Sequence, residues 1–118
     1  MTTIKGDFIA MVCISYKDVT NVLRGAIEGR ITIHLHPDEK NTWADGIEAP
    51  NISFLIDGWK IALFNDCVPD YIVFAVSPKG ERIGDDDRRY VMDPHLDSML
   101  SREELAQLEN LLYSARWP

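Results

Sequence analysis

The sequence predicts an α+β fold, with an antiparallel sheet of about four to six strands and an N-terminal and a C-terminal helix packed on one face. Three observations carry this expectation. The stretch 51–70, NISFLIDGWKIALFNDCVPD, is two apolar runs hinged at Asp57-Gly58, and both hinge residues tolerate the positive φ of a type I′ hairpin loop. Ile31, Ile33 and Leu35 alternate with Thr32, His34 and His36, the period of a strand with one solvated face. Ser15 with Asp18 and Ser101 with Glu104 are capping boxes, each ahead of an apolar stripe of helical spacing.

Taken in order, the apolar run from Phe8 to Ile14 is expected to be a buried strand. It is too short for a membrane span and lacks the basic flank of a secretion signal beyond Lys5. In the first helix Val19, Val22, Leu23, Ala26 and Ile27 form the buried stripe, Ile14 and Val19 are spaced as a hydrophobic staple, and Gly29 is placed to end the helix, while Gly25 weakens it. Pro37 stops the strand that follows. Residues 37–50 form a polar loop in which Trp43 and Ile47 fold back for cover. In the hairpin the loop sets the register: Ile56 faces Trp59, Phe54 faces Ile61 and Ile52 faces Leu63, leaving Ser53, Leu55, Lys60 and Ala62 on the other side.

A third meander strand spans Tyr71 to Val76 after the turn-rich corner at Asn65-Asp66-Cys67. Ser77 to Gly80 is a turn, Glu81-Arg82-Ile83 a short return strand, Gly84 to Asp87 an exposed loop, and Tyr90-Val91-Met92 an edge strand ended by Asp93-Pro94. In the last helix Leu105, Leu108, Leu111, Leu112 and Ala115 make the buried stripe, with Leu100 and Leu105 as staple. The 118 residues are expected to form one domain, large enough for a core without disulfide or metal support. Two cysteines, Cys13 and Cys67, suit a reducing cytoplasm.

The net charge of −7 argues against nucleic-acid and anionic-membrane surfaces and favours a basic partner. Residues 66–109 hold eleven acids against five bases and so carry six of the seven net negative charges. Two catalytic or ligand patterns compete weakly. Cys67 would need an imidazole base from His34, His36 or His95 to act as a hydrolase nucleophile, and no glycine-rich elbow accompanies it. His34-x-His36 puts two imidazoles on one strand face, a zinc-compatible spacing that lacks a third ligand, and Asp85-Asp86-Asp87 lacks the spaced ligands of a calcium loop. Phosphate-loop, dinucleotide, zinc-protease and serine-hydrolase templates are missing, so no catalytic residue, cofactor or metal site is expected.

The pattern D-G-W-x-x-x-x-F-N-D-C, here Asp57 to Cys67, with Tyr71, Ser77 to Arg82, the acidic loop and the Ser101-Arg102-Glu103-Glu104 helix start, resembles an uncharacterised family of small acidic bacterial proteins over about residues 15–115. That resemblance implies no chemistry. By size, acidity and lack of catalytic templates the chain is also similar to immunity proteins of bacterial toxin systems. The expected function is therefore a cytoplasmic, acidic protein-binding module that neutralises a cognate basic toxin domain. Asp66, Asp70, Glu81, Asp85, Asp86 and Asp87 are the expected contacts, with Tyr71 and Trp43 as aromatic anchors. The alternatives are a regulatory or scaffold module and, third, the small cysteine hydrolase.

Overall fold

The structure is a computed structural model that describes residues 14–45, 51–66, 68–84 and 95–118. Helix α1 (Tyr16–Ile27) precedes strands β1 (Ile33–Leu35), β2 (Asn51–Ile56), β3 (Trp59–Asn65), β4 (Pro69–Val76) and β5 (Arg82–Gly84), then a 3-10 turn (Leu96–Ser98) and helix α2 (Arg102–Ser114). The strands form one antiparallel meander in the order β1-β2-β3-β4-β5. This is the expected α+β architecture. The anticipated strands at 8–14 and 90–92, and the cover from Ile47, lie outside the described residues.

Both helices start as their sequences predict. Ser15 Oγ accepts the Asp18 N–H at 3.2 Å while the Asp18 carboxylate accepts the Ser15 N–H at 2.8 Å. Ser101 and Glu104 repeat the exchange at 3.0 and 2.8 Å. Helix α1 ends at Gly29, whose φ of 80° is the left-handed conformation glycine adopts most freely. There the Arg30 N–H reaches Gly25 O and the Gly29 N–H reaches Ala26 O, a Schellman closure that satisfies two end carbonyls.

The hairpin has the expected register, Ile56 opposite Trp59, Phe54 opposite Ile61 and Ile52 opposite Leu63, about a loop in which Asp57 and Gly58 have φ of 51° and 80°. Its inward set joins Ile33, Leu35, Ile72 and Ala75 beneath Val19, Leu23, Leu108 and Leu112 of the helices, all in one core. Each fully buried aliphatic side chain contributes about 1.5–3 kcal/mol of transfer free energy. Trp43 joins that core at 1% exposure, its ring centroid 5.9 Å from that of Phe54. The loop before β2 thus covers the sheet as anticipated.

Strand β4 departs from simple alternation. Ala62 pairs with Phe74 but Leu63 with Ile72, so Val73 is an extra residue, and a second shift follows before Asn65 meets Pro69. The bulge sends Val73 and Phe74 to the same side, where they pack with Ala62 in a second, smaller cluster on the sheet's other face. Gly84 has φ of 84° and pairs with Phe74; a Cβ there would collide with the Val73 carbonyl. The close strand approach at the bulge therefore requires glycine.

Candidate functional site

A cleft of about 360 Å³ lies between the start of β4 and α2. Its strand wall begins at a tight corner, where the Asp66 N–H donates to Val68 O at 3.1 Å and the Asn65 amide donates to the Trp43 carbonyl at 2.9 Å. This corner delivers Val68, Pro69 and Asp70 to the cleft in succession. Opposite them stand Arg102, Leu105, Ala106 and Glu109. Their i, i+3, i+4, i+7 spacing makes one helical face, turned away from the face that buries Leu108 and Leu112. Asp97, from the 3-10 turn, contributes a further carboxylate.

The described lining combines apolar side chains with three carboxylates. Val68 is 50% exposed, and Leu105 is half-buried between cleft and core. Among the described residues that line the cleft, Asp70, Asp97 and Glu109 face one base, Arg102. Among the described residues Asp97, Glu109 and Arg102 make no ion pair, which leaves their charges for a ligand. Asp70 is engaged, its Oδ1 2.9 Å from His95 Nδ1. His95 also forms an isolated antiparallel bridge with Tyr71, so the two contacts hold the start of the 3-10 turn against β4. On the other side of that strand Phe64 stacks on Tyr71 at 4.9 Å, and Tyr71 meets the His95 ring edge-on at 5.9 Å. A cavity of this make-up suits an aliphatic stem that ends in a cation, which Arg and Lys both provide.

The expected contact residues fall in different places. Asp70 lines the cleft, Asp66 is exposed at its corner, and Tyr71 is half-buried in the ring stack behind it. Glu81 lies past the other end of β4, about 25 Å away at the usual rise of a strand. Its carboxylate accepts the Ser77 hydroxyl at 3.1 Å within the β4–β5 turn. One patch does not include both ends. Trp43 is corrected as an anchor: at 1% exposure its ring is core, because the loop before β2 folds it beneath the sheet. Asp85, Asp86, Asp87 and Cys67 lie outside the described residues.

His36 Nδ1 accepts the Asp38 N–H at 3.1 Å, and Lys60 Nζ approaches the same Asp38 at 3.7 Å. Among the described residues no three His, Cys, Asp or Glu side chains converge as a metal site, and no helix is long and apolar enough to cross a membrane. Residue-type reasoning missed Asp97, Arg102, Glu109 and Val68 as cleft residues, and missed His95 as the partner of Asp70. The second stripe on α2, Arg102-Leu105-Ala106-Glu109, was the available signal, obscured because Leu105 also belongs to the core stripe.

No curated protein and no solved structure matches this chain. The model of one uncharacterised family spans residues 13–114, and the chain belongs to that family, described as Domain of unknown function (DUF7693).

Proposed function

We propose that the protein is an acidic protein-binding module, an immunity protein that neutralises a basic toxin domain by docking it at the cleft between β4 and α2. The observation that carries the proposal is the combination of half-exposed Val68 and Leu105 with Asp70, Asp97 and Glu109 in the lining of one cleft. Apolar and charged side chains together make up specific protein interfaces, and the carboxylates would steer a basic partner into register. Supporting this, the net charge of −7 gives the whole molecule a field of the same sign.

Co-expression with the toxin domain encoded beside its gene tests the proposal. The wild-type chain is expected to protect cells and to co-purify with the toxin, and Val68→Asp with Asp97→Lys to lose both while remaining folded. Absence of protection by the wild-type chain removes toxin neutralisation. Full protection by the folded double variant removes the cleft as the interface.

A further inference from the structure

Where α1 meets the residue ahead of the α2 cap, Lys17, Thr20, Arg24 and Met99 line a hollow of about 220 Å³. Three of the four lie on α1 at i, i+3 and i+7, so one helical face supplies them. All three are hydrogen-bond donors, and the described lining contains no carboxylate. They share the hollow with Met99, which is half-buried two residues before the Ser101 cap.

Donors outnumber acceptors here. Thr20 is 2% exposed, and its hydroxyl stands 3.3 Å from Met99 Sδ and 2.7 Å from the Tyr16 carbonyl. One hydroxyl proton serves one of these at full strength, and a thioether is the weaker acceptor. Arg24 Nη2 already donates to the Met99 carbonyl at 2.6 Å, which holds the guanidinium at this residue. Among the described residues Lys17 makes no ion pair. A strong acceptor on the Met99 sulfur would meet a buried hydroxyl and two cations.

We propose that Met99 is a methionine-oxidation site whose sulfoxide oxygen accepts from Thr20 and the neighbouring cations, so that a hydroperoxide leaves the helix junction fastened. In the step a sulfur lone pair attacks one oxygen of hydrogen peroxide, the S–O bond forms and the O–O bond breaks. The departing hydroxide takes the proton of the transferred hydroxyl and leaves as water, so the thioether loses the two electrons that the peroxide gains. Lys17 and Arg24 favour the negative charge that develops on the departing oxygen. A sulfoxide usually disrupts the packing around a methionine, because its oxygen is buried without a donor. In this hollow the donors are in place before oxidation. This inference does not depend on toxin binding.

Hydrogen peroxide treatment of the full chain, carried until residue 99 is fully oxidised and followed by peptide mass mapping and thermal melting, tests it. Met99→Leu and Thr20→Val are treated alongside, and Met99→Leu reports what the other methionines contribute. Met99 is expected to gain one oxygen atom. Oxidation is expected to lower the melting temperature of the wild-type chain no more than that of Met99→Leu, and to lower that of Thr20→Val by about 5 °C or more beyond this. Failure of Met99 to oxidise under conditions that convert the methionine of a free peptide of residues 95–103 overturns the proposal. So does a larger fall in wild type than in Met99→Leu, or an equal fall in wild type and Thr20→Val. If Thr20→Val does not fold, wild type against Met99→Leu decides alone.

Discussion

Arg24 and Glu104 join the two helices. Arg24 Nε lies 2.9 Å from Glu104 Oε2, and Arg24 Nη2 donates to the Met99 carbonyl at 2.6 Å. Because Glu104 Oε1 also accepts the Ser101 N–H, one carboxylate serves the α2 cap and the α1–α2 contact at once. The Ser101 N–H foremost, and Arg24 after it, hold the Glu104 carboxyl below its ordinary value. A lowered folded pKa gives stability that is present above the ordinary carboxylate pKa and lost as pH falls through the lowered one. Glu104→Gln keeps the cap acceptor and removes the charge. Its melting temperature should therefore lie below wild type at neutral pH, and the gap should close on acidification. A gap that is the same in acid would show that charge is not its source.

Gly25 carries a packing role that helix propensity hides. A Cβ at this position would lie 2.5 Å from Ile31 Cδ1 and 2.7 Å from Ile31 Cγ1. In a free helix Gly→Ala gains about 0.5–1 kcal/mol. Here the gain is expected to reverse, because Ile31 would be pushed off the helix. Urea denaturation should show Gly25→Ala destabilising on its own and stabilising in an Ile31→Ala background. Additive effects of the two substitutions would exclude the contact.

Trp43 is buried, and its Nε1 has no hydrogen-bond partner among the described residues. Trp43→Ala is expected to cost about 3–5 kcal/mol of folding stability through the cavity it leaves. Trp43→Phe removes the unpaired donor along with part of the ring and should cost clearly less. Chemical denaturation measures both, and neither change should alter partner affinity in the folded protein. Equal losses would mean that the indole N–H is satisfied in solution.

How far the sequence foretells the structure depends on whether a feature is local. Capping boxes, the Asp57-Gly58 loop and the glycine stop at residue 29 act over a few residues, so Ser15, Ser101 and the hairpin register were all legible. The β4 bulge was not. Tyr71 to Val76 is apolar throughout, and a uniform run holds no alternation from which to detect that Val73 and Phe74 share a side. The acidic surplus of residues 66–109 was equally visible, but the division of Asp70 from Glu81 follows from the length of β4 between them. His95 showed no motif because its partner Asp70 is 25 residues away and is reached only through the bridge to Tyr71.

Charge substitutions at the cleft should separate its two halves. Asp97→Lys with Glu109→Lys is expected to slow association of a basic partner by on the order of ten-fold or more at low salt, with the difference shrinking as ionic strength rises. Arg102→Glu should act in the opposite sense and speed association, because Arg102 is the one base among the described residues that line the cleft. Glu81→Lys serves as the control: it changes the net charge by the same two units as either lysine replacement, but beyond the far end of β4, where its carboxylate is tied to Ser77. Stopped-flow association across a salt series distinguishes local from global electrostatics. If Glu81→Lys slows binding as much as Asp97→Lys alone, the molecule steers its partner by net charge, and the cleft carries no specificity.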